Sequence, residues 1–367
     1  MRNTTIMINQ AYQDNYQQLL THDVYALRVR EKHLALLPVI QALHQHHKAH
    51  SPAYSRLIKQ HADDPATLEE MPFLAVRLFK QFALRSVPED EVFRVLQSSG
   101  TSGQTPAKVF LDKATSARQS KALVKIMQNF IGKQRLPMLV IDAPSTVKSG
   151  ALSARAAGIQ GMAFFGRQTV FALNDDMSLN MEALESFQNA YGDQSVLVFG
   201  FTFMVWAYFL EALQAQRKSL SLSKGVLVHS GGWKKLVEKQ VDNVSFKSAV
   251  SRLTGISRVH NFYGMAEQVG TVFVECEQGH LHVPVMAELI VRDPYTLEVC
   301  KTGEQGLLQV ISAIPTSYPG FSLLTEDLGR VLGQDDCPCG RSGKYFEVLR
   351  RLPKTEVRGC SDTQVSP

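Results

Sequence analysis

Long uninterrupted apolar runs are absent from these 367 residues. A membrane-crossing helix needs about 18 of them or more. The nearest candidate, Val196 to Leu213, is broken by Gly200, Thr202 and Glu211 and reads as a strand turning into a buried helix. Met1 to Gln18 is polar and holds no apolar signal core. Cysteine is scarce: there are 5, unevenly spaced. With no secretion signal, that odd number points to reduced thiols and a cytoplasmic protein. Charge of one sign is also lacking, the net value being only +5 and the pI about 8.9. The basic pairs Lys234-Lys235 and Arg350-Arg351 have no interleaved aromatics, which argues against nucleic acid. Repeats and low-complexity stretches are missing too. What remains is 44% hydrophobic and 20% charged, an ordinary globular composition with length for roughly two domains.

Apolar positions recur at helical spacing from about Asn9 to Gln60, through Tyr25, Leu27, Leu34, Leu36, Leu37, Ile40 and Leu43. His44 to His50 reads as an exposed helix end. From Leu136 to Val310 short apolar runs alternate with helical segments. Met138 to Ile141, Ser195 to Phe199 and Gly225 to Val228 each read as a buried strand stopped by Gly, Ser or Pro. This pattern predicts a parallel α/β fold, with ligands at the carboxyl ends of the strands. From Leu281 to Leu332 short strands with Gly and Pro turns suggest a β-rich subdomain. The expected division is a helical region over 1–70, an α/β core over 71–330 with the β-rich part from about 281, and a C-terminal segment over 331–367.

Three motifs carry chemistry. The loop Ser98-Ser99-Gly100-Thr101-Ser102-Gly103, with Pro106 and Lys108 after it, follows the apolar run Val92 to Leu96. Glycines let backbone N–H groups approach an anion, and the hydroxyls add donors. No Gly-Lys-Ser/Thr follows at P-loop spacing. Asn261-Phe262-Tyr263-Gly264-Met265-Ala266-Glu267 puts an aromatic beside a glycine, suited to stacking on a base, and a carboxylate able to hold Mg²⁺ at a phosphate. Leu324-Thr325-Glu326-Asp327-Leu328-Gly329-Arg330 offers a carboxylate on a turn that can take both hydroxyls of a ribose. Separately, Cys276, His280, His282 and Cys337-Pro338-Cys339 form either four tetrahedral ligands for Zn²⁺ or a set of free thiols beside histidines. Gly158-Ile159, Phe164-Phe165 and Phe199 to Trp206 can line an apolar acid pocket or simply fill core.

In this order, the motifs resemble those of acyl-adenylate-forming enzymes. The similarity is to the short subfamily shared by phenylacetate-CoA ligases and the acyl-protein synthetases of bacterial luminescence. It runs from Pro72-Phe73-Leu74 through Val205 to Arg358-Gly359-Cys360-Ser361-Asp362. The resemblance implies an adenylate-forming α/β fold that activates a fatty acid with ATP and carries it as a thioester to a reductase or acyltransferase partner. It implies that Ser98, Ser99, Thr101, Ser102 and Lys108 grip the ATP phosphates and that Ser230-Gly231-Gly232 lines the adenine. It further implies that Tyr263 stacks on adenine, Glu267 binds Mg²⁺, and Asp327, with Arg351 near it, holds the ribose. Cys360 stands where the luminescence enzymes carry their acyl acceptor. A Gly-Leu-His segment and a Cys-x-Cys-Gly segment resemble a zinc knuckle of phenylacetate-CoA ligase relatives, with His282 the better match.

Two departures from the family pattern stand out. Only 37 residues follow Arg330 (331–367), so the usual C-terminal domain with its catalytic lysine is expected to be absent or vestigial, and Lys108, Lys344 or Lys354 is left to serve. Pro353 and Lys354 occupy the place of the usual hinge aspartate. Transfer to CoA or to a carrier protein, and a non-catalytic nucleotide-binding scaffold, stay open as alternatives.

Overall fold

Short apolar runs become strands covered on both faces. The structure, a computed structural model, describes residues 8–61, 63–97, 106–148, 154–233 and 238–352. Strands β1 (Leu74–Ala75), β2 (Arg94–Gln97) and β3 (Lys108–Leu111) come first. The parallel series follows: β4 (Leu136–Val140), β5 (Gly166–Phe171), β6 (Leu197–Phe201), β7 (Val226–Ser230) and β8 (Arg258–Tyr263). Every residue of β4 is buried, which fits the near-continuous apolar runs of parallel sheets. Pro137 cannot donate to a ladder, and the β4–β5 register shifts between Pro137 and Leu139. The three anticipated strands are present within one or two residues, and β4–β6, β6–β7 and β7–β8 are parallel.

The later strands are β9 (Phe273–Glu275), β10 (Leu281–His282), β11 (Ala287–Arg292), β12 (Gly306–Ser312), β13 (Ser322–Gln334) and β14 (Lys344–Arg351). They continue the same sheet. Its order is β11-β12-β13-β14-β10-β9-β8-β7-β6-β4-β5, and β1 adds beside β13. The sheet turns antiparallel at β8–β9. β2 and β3 form a separate two-stranded ribbon.

Helices α1 (Gln10–Thr21), α2 (Val29–His50) and α3 (Pro52–Leu57) open the chain. They pack on the late strands: the Tyr12 hydroxyl donates to the Ala313 carbonyl at 2.8 Å. The expected exposed histidine end of α2 is corrected here. His44, His46 and His47 are buried, because the 315–317 segment and Phe321 lie over them. His47 meets Ser86 Oγ at 2.7 Å and Pro315 O at 3.1 Å, and His46 meets Thr316 O at 2.9 Å. Burial pulls the His46 imidazole down to about 4. His50 alone of the four is exposed.

Helix α4 (Leu78–Gln81) precedes the ribbon and α5 (Lys113–Ile131) follows it. The parallel strands are joined by α6 (Ser145–Lys148) with α7 (Ala154–Ala163), by α8 (Met181–Tyr191), by α9 (Thr202–Met204) and α10 (Glu211–Ala215), and by α11 (Asn243–Thr254). A π-helical turn, Val205–Leu210, lies between α9 and α10. Side chains at the starts of α5 and α11, Asp112 and Asp242, accept the Thr115 and Ser245 amides at 2.6 and 2.7 Å, satisfying donors a helix cannot pair. Among the described residues no helix is long and apolar enough to cross a membrane.

Candidate functional site

The parallel strands all deliver their carboxyl ends to one edge, and the motif residues gather there. β7 ends at Ser230. Gly231 then takes φ +82°, a conformation glycine adopts without strain, and the chain turns through Gly232. Ser230 Oγ donates to the Phe262 carbonyl at 2.9 Å, tying this turn to the end of β8. Tyr263 closes β8, Gly264 follows, and Glu267 sits in the short turn Ala266–Gln268.

Tyr263 and Asp327, 64 residues apart, meet: the phenol donates to Asp327 Oδ2 at 2.7 Å. Asp327 lies on β13, opposite Arg351 of β14. Arg351 Nε stands 3.9 Å from Asp327 Oδ1, and its Nη2 stands 3.3 Å from Glu326 Oε2. Arg77 meets the other oxygen of Glu326 at 3.0 Å. The Tyr263 ring is partly exposed and packs on Phe273 and Phe346. Burial, with Asp327 beside it, pushes its phenol well above the usual tyrosine range, so it remains a donor.

Glu267 is buried, with 7% of its surface exposed. Burial pushes its carboxyl up, Lys80 and Arg351 oppose that, and Asp327 adds to it. Lys108 starts β3, exposed and paired with Gln97 at the mouth of the ribbon. β3 packs against the Glu267 turn. The base of the Ser/Gly loop therefore reaches the carboxyl edge. The loop residues Ser98, Ser99, Gly100, Thr101, Ser102 and Gly103 lie outside the described residues, as do Lys354 and Cys360.

The aromatic run that begins in β6 and continues past it divides between the two faces of the sheet. Phe199 belongs to the core layer shared with α5, while Met204, Val205 and Trp206 join the layer shared with α11. Phe201 touches both. A Cβ on Gly158 would come within 2.9 Å of the Phe201 ring, and one on Gly231 within 3.2 Å. The ring thus sits between α7 and the Ser-Gly-Gly turn.

The Cys/His set also converges. Ligand atoms of Cys276, His282, Cys337 and Cys339 all lie within 4.8 Å of one another. Cys276 Sγ is 3.9 Å from Cys337 Sγ, and Cys339 Sγ is 3.3 Å from His282 Nε2. His280 is close as well, its Nδ1 at 3.4 Å from Cys337 Sγ. Cys276 leaves β9, His282 ends β10, and the other two occupy the β13–β14 connection. Burial raises Cys276 and Cys337, while Arg341 holds Cys339 below its usual value against the same burial.

Sequence reasoning gave no role to His229, Asp142 or Arg155 and took Thr202 only as part of the Phe199 to Trp206 run, yet all four lie on this edge. Asp142 Oδ2 stands 3.2 Å from Arg155 Nε, and its Oδ1 accepts the Ala143 amide and the Thr146 hydroxyl at 2.8 and 2.6 Å. The one available signal was position, since Asp142, Thr202 and His229 fall within two residues of a strand end.

Comparisons with known proteins show the family and the fold. The family model described as "Acyl-protein synthetase, LuxE" matches residues 14–366. A long-chain-fatty-acid–luciferin-component ligase of Aliivibrio fischeri is 23% identical over 333 residues, covering 88% of this chain and 85% of its own. The ligase of that name from Vibrio harveyi is 23% identical over 302 residues, covering 80% and 77%. Among solved structures, an open conformation of 2-hydroxyisobutyryl-CoA ligase aligns with a TM-score of 0.69 at 19% identity, over 91% of this chain and 78% of that one. The same ligase in its thioesterification state also gives 0.69, over 90% and 70%. Matched over almost its whole length and built on the adenylate-forming fold, the chain belongs to the acyl-protein synthetase family and is an ATP-dependent ligase that activates a carboxylic acid and transfers the acyl group.

Proposed function

We propose that the acid is a fatty acid and that the acyl group passes from AMP to the thiol of Cys360 and then to a protein partner, a reductase or an acyltransferase. The observation that carries the site is the Tyr263–Asp327 contact at the carboxyl edge, with Arg351 and Glu267 around it. Asp327 takes the ribose hydroxyls with its free lone pairs. Tyr263 offers its ring to adenine while its hydroxyl holds Asp327 in place. Ser230, Gly231 and Gly232 line the other side of the base, and Gly264 lets the backbone pass close. Ser98 to Gly103 and Lys108 receive the phosphates.

The first step joins a carboxylate oxygen to the α-phosphorus and breaks its bond to the β-phosphate bridge, so pyrophosphate leaves. The second joins sulfur to the acyl carbon and breaks the bond to AMP, the thiol proton being lost. Both steps concentrate negative charge. The chain's part is to orient the acid and the nucleotide and to place N–H groups and cations where that charge develops. A buried carboxyl strained by desolvation, as Glu267 is, suits a divalent cation, and Mg²⁺ held there would supply charge neutralisation at the phosphates.

The second metal proposed is structural Zn²⁺ at Cys276, His282, Cys337 and Cys339. The donor set fits: three sulfurs and one imidazole within reach of one centre match the preference of that ion. His282 turns Nε2 toward the sulfurs, 3.3 Å from Cys339 Sγ, which makes it the ligand nitrogen. Metal analysis of purified protein is expected to give about one zinc per chain, and stripping it should lower the melting temperature. Protein that carries no zinc after refolding with it would end this reading.

Intact-protein mass spectrometry after incubation with ATP, Mg²⁺ and a panel of fatty and aryl acids tests the acyl route. The expected product is a hydroxylamine-labile mass increase that maps to Cys360 and is missing from Cys360→Ser. Pyrophosphate release with no adduct would move the acceptor to CoA or a carrier protein. An undiminished, denaturation-stable adduct on Cys360→Ser would remove the thioester role.

A further inference from the structure

The carboxyl ends of β6 and β7 are joined by side chains as well as by the sheet. Gly200 pairs with His229, and Phe201 with Ser230. Thr202, the next residue, sets its Oγ1 2.9 Å from His229 Nδ1 and 3.2 Å from the Ser230 carbonyl oxygen. A hydroxyl carries one proton. The carbonyl can only accept, so the Thr202 hydroxyl donates to it and accepts from the imidazole. This arrangement assigns His229 the Nδ1–H tautomer and leaves Nε2 as a bare acceptor. Nε2 is buried with no hydrogen-bond partner. The ring is 4% exposed and lies 4.6 Å from Phe246 of α11, and burial draws its pKa down to about 4.

An unpaired buried acceptor destabilises a fold. An apolar ring would fill the same space without that cost. What the imidazole supplies and an apolar ring cannot is the Nδ1–H that fixes the Thr202 hydroxyl. That hydroxyl in turn fixes the Ser230 carbonyl at the start of the Gly231-Gly232 turn. The chain of contacts continues sideways from Ser230 Oγ to Phe262 O, and from the adjoining Tyr263 to Asp327. Side-chain hydrogen bonds thus link the end of β6 to β7, β7 to β8, and the end of β8 to β13.

We propose that His229 and Thr202 are positioning residues for the nucleotide, holding the Ser230-Gly231-Gly232 turn in the shape that receives the base. The proposal rests on the adenylation reading above. It assigns the pair to ATP and not to the acid, because the atom they hold is the carbonyl that begins the turn.

The chain has 2 tryptophans, and both report on this place. Trp233 follows Gly232 directly, and the Trp206 ring lies 5.8 Å from it. Intrinsic fluorescence therefore follows the turn itself, independently of catalysis. The test compares Thr202→Val and His229→Gln, which remove the contact, with Thr202→Ser and His229→Asn, which keep a group at the same atom position. For the first two, ATP half-saturation by fluorescence and KM for ATP are expected to rise about tenfold, a change worth one or two hydrogen bonds. KM for the acid should stay within about twofold, and the two conservative variants should come back to within about threefold of the parent on the same reasoning. Parental ATP affinity in Thr202→Val and His229→Gln would overturn the proposal. Equal damage in all four variants would overturn it too, since packing would then explain the effect. If the parent protein binds ATP but releases no pyrophosphate with any acid, the adenylation reading fails, and the fluorescence titration alone decides the positioning role.

Discussion

Asp327→Ala is expected to cut kcat/KM for ATP in acid-dependent pyrophosphate release by about 100-fold or more, with the melting temperature within a few degrees of the parent. The size follows from two charge-assisted hydrogen bonds to a ribose, each worth about 1.5–3 kcal/mol, at roughly 1.4 kcal/mol per tenfold. The fold should tolerate the change because Asp327 holds no buried partner that lacks an alternative. Its phenol neighbour Tyr263 keeps the Thr325 side chain as a second hydrogen-bond partner. Arg351 keeps its contact with Glu326 at 3.3 Å. Tyr263→Phe separates the two jobs of the ring. It keeps the stacking face and removes the hydrogen bond, so a loss of only about three- to tenfold is expected, the worth of one neutral-to-charged bond with water as substitute. An Asp327→Ala protein within threefold of the parent would remove this residue from the nucleotide site.

The largest stability effect is expected at Glu288, far from that edge. It is fully buried on β11, with Lys32 and His33 each 3.0 Å from Oε2 and Lys344 3.2 Å from Oε1. The Leu289 amide donates to Oε1 at 2.9 Å. Burial alone would raise this carboxyl, but the two lysines and the His33 bond hold it well below the usual carboxylate range. Burial likewise draws down Lys32, whose side chain is 1% exposed, and Glu288 opposes that. Glu288→Gln leaves a buried ammonium without its counter-charge, which costs about 3–5 kcal/mol. At about 2 °C or less per kcal/mol for a chain of this size, the melting temperature should fall by roughly 4–10 °C. Adding Lys32→Met should recover much of the loss, because a buried pair replaced by apolar groups is often neutral. A double variant as unstable as Glu288→Gln alone would show that the ion pair is not what the site depends on.

The parts of this architecture that were legible in the sequence are those written locally. Val196 to Phe199 and Val226 to Val228 announce strands because an apolar run followed by a breaker has few other uses. The Ser-Gly-Gly turn was legible because it follows such a run. The histidines of α2 were misjudged as exposed, since their partners Thr316 and Pro315 lie some 270 residues on and no local pattern encodes that contact. The same limit hid the lateral bond between Thr202 and His229, 27 residues apart. The resemblance implied that Tyr263 and Asp327 serve one nucleotide, whereas the phenol-to-carboxylate bond between them required coordinates. Cys276, Cys337 and Cys339 with His280 or His282 could be gathered from their types alone, because cysteine is rare enough here to stand out, while the preference for His282 came from the resemblance. The continuity of β9 to β14 with the parallel strands was not legible, as nothing along one strand names its neighbour in a sheet.

The packing of the first helices on the last strands has a consequence for how this protein is made. Tyr12 bonds to Ala313, Lys32 to Glu288 and His47 to Pro315, so α1 and α2 find these partners only once the later strands have left the ribosome. Until then Leu36, Val39, Ile40 and Leu43 of α2, all buried in the finished molecule, have only the neighbouring α1 and α3 to cover them. Such distant pairings slow folding and leave apolar surface open to aggregation in the meantime. Yield of active enzyme should therefore respond to translation speed and to chaperone supply more than the stability of the finished protein would suggest.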